Sequence, residues 1–359
     1  MRFLLNLCWF IRISSSLAII LTVLPAEKSR AEPSSGFFNI TLENDVFANT
    51  DKNYTNGFRL AYTSTAQQGP NNSHCQIARN FLDRGGSPCT KENSNVLYGL
   101  ALGHSIFTPE NIEEIKPLPG QHPYAGWLYG EYSVVALKAL ATPALGDREF
   151  QRRDVRSVGI QLGIVGPSAL GEEVQNAVHR RLPGVPIARG WHNQLHDEFG
   201  FALLYDRRWQ AIYGILDRTN AFGFDIVPHY GLSLGNVLTQ ASFGLGFRIG
   251  TDLGNTDLPA RVRPALPGAG LFDAATPMSC FVFADLTGRA VAQNIFLDGN
   301  TFRNSLRVNK HPFVADLQVG IGLRLHGALL SYTYVTRTDE FSTQDQDQRF
   351  GSVNLSFRY

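Results

Sequence analysis

The chain has 359 residues, with 32 Lys and Arg against 31 Asp and Glu and a formal net charge of +1. So even a balance gives no basis for nucleic-acid binding or for a polybasic lipid-binding surface. The length allows one large domain or two ordinary ones. Past the N-terminus no unbroken apolar run approaches the ~20 residues of a spanning helix, which argues against an α-helical membrane protein.

Residues 1–31 read as a secretory signal peptide, leaving 32–359 as the mature chain. Arg2 supplies the positive start, apolar runs follow at Phe3 to Ile11 and Leu17 to Leu24, and Ser29-Arg30-Ala31 offers small residues for cleavage. The competing reading, a retained transmembrane anchor, meets Arg12 in the middle of the apolar stretch. Leu7 before Cys8 is not small, which argues against lipoprotein processing.

Period-two alternation dominates the rest. Predicted strands fall at roughly 37–46, 54–65, 95–108, 126–139, 154–166 and 196–208. A segment at 209–216, or one starting nearer 222, comes next, then roughly 241–251, 279–296, 312–326, 328–339 and 348–359. Val158, Ile160, Leu162 and Ile164 alternate with Ser157, Gly159, Gln161 and Gly163. Phe243 to Ile249, Leu317 to Leu325 and Val353 to Tyr359 repeat the pattern. Period two sends one set of side chains to each sheet face. One face is large and apolar; the other is Gly, Ser, Gln, Asn and Arg, unlike the Lys, Glu and Thr of a soluble sandwich. The pattern predicts an all-β, transmembrane antiparallel barrel of about twelve strands with a polar lumen. The final strand ends on Tyr359, which resembles the C-terminal signature of outer-membrane barrels.

With the N-terminus in the periplasm, Asn44-Asp45, Thr55 and the loop 166–194 gather at the extracellular rim. The connections 66–94 and 252–278 then fall on the periplasmic side, where such length is unusual and counts against this register. His326-Gly327 reads as a tight turn. Cys75 and Cys89 flank a polar stretch and are either a disulfide or two thiols in an exported protein. Cys280 is left over as a buried or lipid-facing residue.

The loop after the fifth strand holds a helix, Gly171 to Leu182, that stops at Pro183-Gly184, with Ser168 as its expected N-cap. Gln175 and His179 are four apart and share one face. A lone helical His is ordinarily structural; aligned with Gln in a loop over a barrel, it is equally a candidate base. Glu43-Asn44-Asp45 interrupts the alternation at the end of strand one, either as a turn cluster or as an oxygen-rich site for a hard cation such as Ca²⁺. Across the loop, the Thr55 hydroxyl is placed to hold a water or ligand.

Glu43-Asn44-Asp45-Val46-Phe47, Tyr54-Thr55-Asn56-Gly57 and the segment Gly166-Pro167-Ser168 through Gln175 to His179 together resemble the lipid A 3′-O-deacylase family. His122-Pro123-Tyr124-Ala125-Gly126-Trp127 and Gly190-Trp191-His192-Asn193-Gln194-Leu195 continue the resemblance. It implies a calcium-dependent, twelve-stranded barrel in the outer membrane of a Gram-negative bacterium, hydrolysing the 3′ acyloxyacyl ester of lipid A or lipopolysaccharide. His179 would be the general base and Asp45 a calcium ligand, with Asn44, Thr55 and Gln175 completing the site. The partners implied are this glycolipid and the surrounding outer-membrane lipids, and a monomer is expected. Val185-Pro186-Ile187 stands where other members carry acidic and lysine residues, which puts substrate choice in question rather than reaction type.

These residue types suit the chemistry on their own terms. A neutral imidazole deprotonates water near neutral pH, and a cation at Asp45 bears developing oxyanion charge, so no serine nucleophile is needed. The nearest rival, an outer-membrane phospholipase, uses a His-x-Ser pattern, whereas His104-Ser105 here are adjacent. The other rival is a passive pore whose loop helix only plugs the lumen.

Overall fold

The computed structural model describes residues 36–45, 53–67, 71–82, 96–140, 150–183, 185–214, 222–251, 253, 278–325 and 327–358. The expected signal peptide, Cys89, the His326 half of its turn and the terminal Tyr359 lie outside them.

Twelve strands close into one antiparallel barrel among the described residues. They are β1 (Phe37–Asn44), β2 (Asn53–Thr63), β3 (Val96–Thr108), β4 (Ala125–Leu140), β5 (Phe150–Val165) and β6 (Glu198–Gly214). The second half is β7 (Phe222–Leu234), β8 (Leu238–Thr251), β9 (Met278–Asn294), β10 (Phe313–Leu325), β11 (Ala328–Arg337) and β12 (Gln348–Arg358). Each strand pairs with its chain neighbour, and β1 closes on β12 with Phe37 opposite Arg358 and Asn44 opposite Gly351. Of the two readings of the middle stretch, the later start holds: β6 runs on to Gly214 and β7 begins at Phe222.

The alternation has the expected physical outcome. Leu60, Leu102, Leu162, Phe201, Leu232, Leu245, Leu286, Leu317, Leu330 and Leu355 are exposed on the outer wall. Their strand neighbours turn inward and pair. The seam is held inside by Asn39 Nδ2 donating to Asn354 Oδ1 at 3.0 Å and to Ser356 Oγ at 2.7 Å. Arg59 donates to Glu131 at 2.7 Å, Gln161 donates to the same carboxylate at 2.8 Å, and Arg337 donates to Asp316 at 2.8 Å. Closed strands leave no edge unpaired, which a lipid environment demands. Among the described residues no helix is long and apolar enough to cross a membrane; the strands do the crossing.

An aromatic girdle rings the outer wall near one rim. Phe38 and Tyr62 lie 5.3 Å apart, Tyr62 and Tyr98 6.2 Å, and Tyr205 and Tyr230 5.9 Å. Such rings favour the lipid–water boundary. Short elements at that rim, α1 (Ser73–Ile77) and a π-helical turn (Ala78–Leu82), pack Cys75, Ala78 and Leu82 against Val96, Val134 and Ala136. Cys75 is disulfide-bonded, and Cys280 is buried in the wall, as expected.

At the opposite rim the lumen is filled with apolar side chains. Phe107 stacks on Phe296 at 4.2 Å, and Tyr54 meets Phe350 at 5.0 Å beside Trp127, Val335 and Leu204. Phe296 comes from α3 (Ile295–Asp298), a single turn after β9 capped by Asn294, whose side chain accepts from the Phe296 N–H. A water-filled passage is not what this end of the barrel encloses.

Candidate active site

The polar triplet at the end of β1 keeps the alternation rather than breaking it. Glu43 turns into the lumen and accepts from the Tyr54 hydroxyl at 2.9 Å. Asn44 turns outward beside Asn56 of β2. Asp45 follows, buried, its N–H donating to the Thr55 carbonyl at 3.4 Å.

Where alternation does break is β2. Its pairing with β3 steps from Tyr54 opposite Phe107 to Asn56 opposite Ile106, skipping Thr55. Thr55 is the extra residue of a β-bulge, a device that re-aims side chains at rims. Tyr54 therefore points into the lumen while Thr55 and Asn56 both point out. The Thr55 hydroxyl lies 2.7 Å from that of Thr108 on the same outer face. Asn44, Asp45 and Thr55 thus lie at the same end of β1 and β2, joined by the backbone bond from Asp45 to Thr55.

The loop 166–197 builds the other half. Its base is clasped by Asp197, whose carboxylate accepts from the Ser168 N–H at 2.8 Å and hydroxyl at 2.7 Å. Ser168 is consequently not the N-cap. Leu170 takes that place in a left-handed conformation, φ 62°, without a side-chain cap, a strain of about 1–2 kcal/mol for a non-glycine residue. Helix α2 (Gly171–His179) then lies against the outer wall of β3 and β4. The His104 Nε2–H donates to the Ala169 carbonyl at 2.8 Å. A Cβ on Gly126 would sit 3.0 Å from the Ala169 Cβ and 3.4 Å from the Gly171 Cα, so glycine is what lets the helix approach the sheet.

Beneath α2, Ile106, Ile112, Tyr124, Ala188 and Trp191 form an apolar cluster. The Tyr124 hydroxyl donates to the Ile112 carbonyl at 3.1 Å, and burial pushes its pKa up to about 12, so it stays a neutral donor. The Trp191 indole N–H donates to Gln175 Oε1 at 2.8 Å. Asn176 exchanges two bonds with the Ala188 backbone, at 3.1 and 3.0 Å. Gln175 and His179 share the buried face of α2, as their spacing predicted. His179 Nδ1 lies 2.6 Å from the Pro186 carbonyl oxygen. A carbonyl only accepts, so Nδ1 carries a proton, and in the neutral ring the lone pair then falls on Nε2.

Two elements of the site had no role assigned from sequence. Trp191 orients Gln175, and His104 anchors the entrance to α2. Both lie in or near motif segments, but only the fold shows which backbone or amide each one reaches. His104 and Ser105 also point to opposite faces of β3: His104 outward to the Ala169 carbonyl, Ser105 buried on the lumen side. They form no dyad.

A family model described as "Outer membrane protein LpxR" matches residues 13–359. The chain belongs to the LpxR family. It is therefore an outer-membrane, multi-pass β-barrel protein, which agrees with the resemblance carried by residues 43–47, 54–57 and 166–179. Among solved structures it is similar to LpxR from Salmonella typhimurium, with a TM-score of 0.67 and 18% identity, covering 90% of this chain and 100% of that one. At that identity the likeness speaks to the fold. The translocator domain of the autotransporter NalP from Neisseria meningitidis also matches, at a TM-score of 0.34 and 11% identity over 90% of this chain and 87% of that chain. So does the beta domain of the Bordetella autotransporter BrkA, at 0.37 and 11% over 91% and 99%. No curated protein sequence matches. Within the LpxR family, then, this member carries its loop helix and its bulged corner on the outside of the barrel wall.

Proposed function

We propose that this LpxR-family barrel is a monomeric, calcium-dependent lipid A 3′-O-deacylase that acts at the extracellular rim, with His179 as the base that activates water. The observation that carries the reading is the tether of His179. It is a buried imidazole on a lipid-side helix, with Nδ1–H committed to the Pro186 carbonyl, which orients Nε2 to be the basic nitrogen whenever the ring is neutral.

In this scheme His179 Nε2 takes a proton from water as the water oxygen bonds to the ester carbonyl carbon. When the carbon–oxygen bond to the sugar breaks, the imidazolium returns that proton to the departing 3′ oxygen. The products are the free 3′ hydroxyl and the acyloxyacyl fatty acid. The Pro186 carbonyl steadies the imidazolium between the two steps by accepting from Nδ1. Gln175, held through Oε1 by Trp191, presents its amide N–H₂ beside the base.

The residues at the Asn44 corner fit a calcium ion. Asp45 is a buried carboxylate, Thr55 a hydroxyl held outward by the bulge, and Asn44 adds a third oxygen. Among the described residues no three of His, Cys, Asp and Glu converge, so beside Asp45 the ligands would be hydroxyl, amide and backbone oxygens, the neutral donors a hard cation accepts. Ca²⁺ held there would supply charge to stabilise the carbonyl oxygen during attack.

Mass spectrometry of lipid A from cells expressing wild type tests the reading. Loss of one acyloxyacyl unit, abolished by a calcium chelator, supports it; unchanged lipid A with folded protein in the membrane overturns it.

A further inference from the structure

Half-way round the closed strand order from β3 and β4, the connection from β9 to β10 builds a hollow at the rim that carries Asp45 and Thr55. It holds about 630 Å³ between Asp298 and Arg307. That volume lies within the range of small-molecule sites, about 300–1,000 Å³. Its lining is almost entirely polar, so it suits no acyl chain.

The loop is fixed from below. Asn300 Oδ1 accepts from the His196 N–H at 2.9 Å, while its Nδ2 donates to the His196 carbonyl at 2.9 Å and to Glu198 at 3.1 Å. The Glu198 carboxylate also accepts from the Thr301 N–H at 2.9 Å. Ser305 Oγ accepts from the Asn300 N–H at 2.8 Å, which folds the loop back on itself. Gly299 turns the chain at φ 82°, where a Cβ would meet Ser305 Oγ at 2.7 Å. A ligand therefore meets a backbone already in place, and little loss of loop entropy opposes its binding.

The side chains that this frame presents are charged and uncommitted. Arg303 and Arg307 line the hollow, both exposed, and neither has a hydrogen-bond or ion-pair partner among the described residues. The one acid of the lining is already occupied. Asp298 Oδ1 accepts from Lys310 Nζ at 2.9 Å, and its Oδ2 accepts from the Asn294 N–H at 2.8 Å. The hollow is left net positive, and two planar guanidinium forks match the oxygens of a phosphate or carboxylate. Phe302 shares the lining and is 78% exposed. An aromatic face attracts the positively polarised C–H edges of a sugar ring. The Asn304 amide and the Thr301 hydroxyl supply partners for its hydroxyls.

The position of the hollow narrows the occupant. The outer wall runs up to Phe199, Leu234 and Phe313, 61%, 62% and 76% exposed at the rim ends of β6, β7 and β10. Glu198, the chain neighbour of Phe199, is the residue that holds Thr301. The hollow therefore begins where the apolar wall stops, at the height of lipid headgroups.

We propose that the β9–β10 hollow binds an anionic saccharide, the phosphate- or carboxylate-bearing headgroup of an outer-leaflet glycolipid, gripped by Arg303 and Arg307 with its ring on Phe302. The site is separate from the His179 groove and does not depend on ester hydrolysis.

The test titrates the intact barrel in an uncharged detergent with glucose 1-phosphate, glucose and inorganic phosphate, read by calorimetry. Glucose 1-phosphate is expected to bind about 10-fold more tightly than either of the others. Arg303→Gln and Arg307→Gln should each weaken it about 10-fold or more, with thermal unfolding unchanged. Phe302→Ala should weaken glucose 1-phosphate and leave inorganic phosphate as it was. Failure of glucose 1-phosphate to bind, or equal binding by the double variant Arg303→Gln/Arg307→Gln, overturns the site. Inorganic phosphate that binds as tightly as the sugar phosphate, with no response to Phe302→Ala, overturns the saccharide and leaves a plain anion site. The source of the headgroup is read in vesicles of phosphatidylcholine with and without lipid A, whose sugar phosphates survive acyl release. Exclusion of glucose 1-phosphate only where lipid A is present supports the glycolipid. Undiminished binding in both vesicle types overturns it, and a soluble sugar would then be the occupant.

Discussion

The Nδ1 of His179 stands 2.6 Å from the carbonyl oxygen of Pro186, seven residues further along the same loop. This contact asks nothing of the Pro186 side chain, because the acceptor is backbone. The identity of the side chains at Val185-Pro186-Ile187 is therefore free to vary without disturbing the His179 contact.

His179→Asn is therefore the sharpest probe of catalysis. Asn retains a donor close to Nδ1 but has no basic nitrogen, so the loop should keep its shape while the rate falls by about 10²–10⁴-fold. Initial rates of acyl release, together with an unchanged proteolysis pattern of the loop, would check both halves. Pro186→Ala keeps the carbonyl and should remain near the wild-type rate.

Asp45→Asn exchanges the carboxylate proposed to hold calcium for an amide of the same shape. Apparent calcium affinity should drop by about 10–100-fold or more, with activity regained at saturating calcium. A calcium titration of the initial rate reads this directly. Indifference to calcium in both proteins would remove Asp45 from the metal site.

Trp191→Phe deletes the N–H that fixes Gln175. Leaving the buried Oε1 unmatched costs about 1–3 kcal/mol, taken mostly from docking of α2. Faster protease cleavage within 166–197, with the barrel still folded, is the expected signature.

Glu198 ties three connections together. It accepts from Asn236 Nδ2 at 3.0 Å, from Asn300 Nδ2 at 3.1 Å and from the Thr301 N–H at 2.9 Å. Glu198→Gln turns one acceptor oxygen into a donor facing donors, a loss of about 1–3 kcal/mol. Thermal unfolding in detergent should shift downward, with the β9–β10 loop opening first.

His122 supplies a pH dependence away from the base. It is buried, stacked on Phe107 at 5.4 Å, and its Nδ1–H donates to the Pro123 carbonyl at 2.7 Å. Burial holds its pKa below the ordinary value of 6.5, Glu340 and Arg337 being the charges that face it. A depressed histidine gives its stability in full above 6.5 and loses it as pH falls toward the folded value, because only the unfolded state takes up the proton. Denaturant unfolding should weaken below about pH 6.5, and His122→Phe should flatten that decline.

Much of this architecture could be read directly from residue order. Alternation of large apolar residues with Gly, Ser, Gln and Arg specifies two dissimilar faces, and two such faces across twelve strands specify a lipid-facing cylinder. The four-residue spacing of Gln175 and His179 fixes their shared helical face for the same local reason. Ser168 misled because capping preference is local too, and Asp197, twenty-nine residues away, claims its hydroxyl first.

Long-range pairing decided the remainder. A strand pattern cannot show that Thr55 is the skipped residue of a bulge, since that depends on which β3 residue opposes Tyr54 and which opposes Asn56. Nor can it show that α2 leans on the outside of the wall rather than over the lumen. That follows from one glycine, Gly126, leaving room on the outward face, and from His104 reaching the Ala169 carbonyl across 65 positions of chain. Local chemistry chose the side chains; which face of the cylinder they serve was set by contacts between segments distant in sequence.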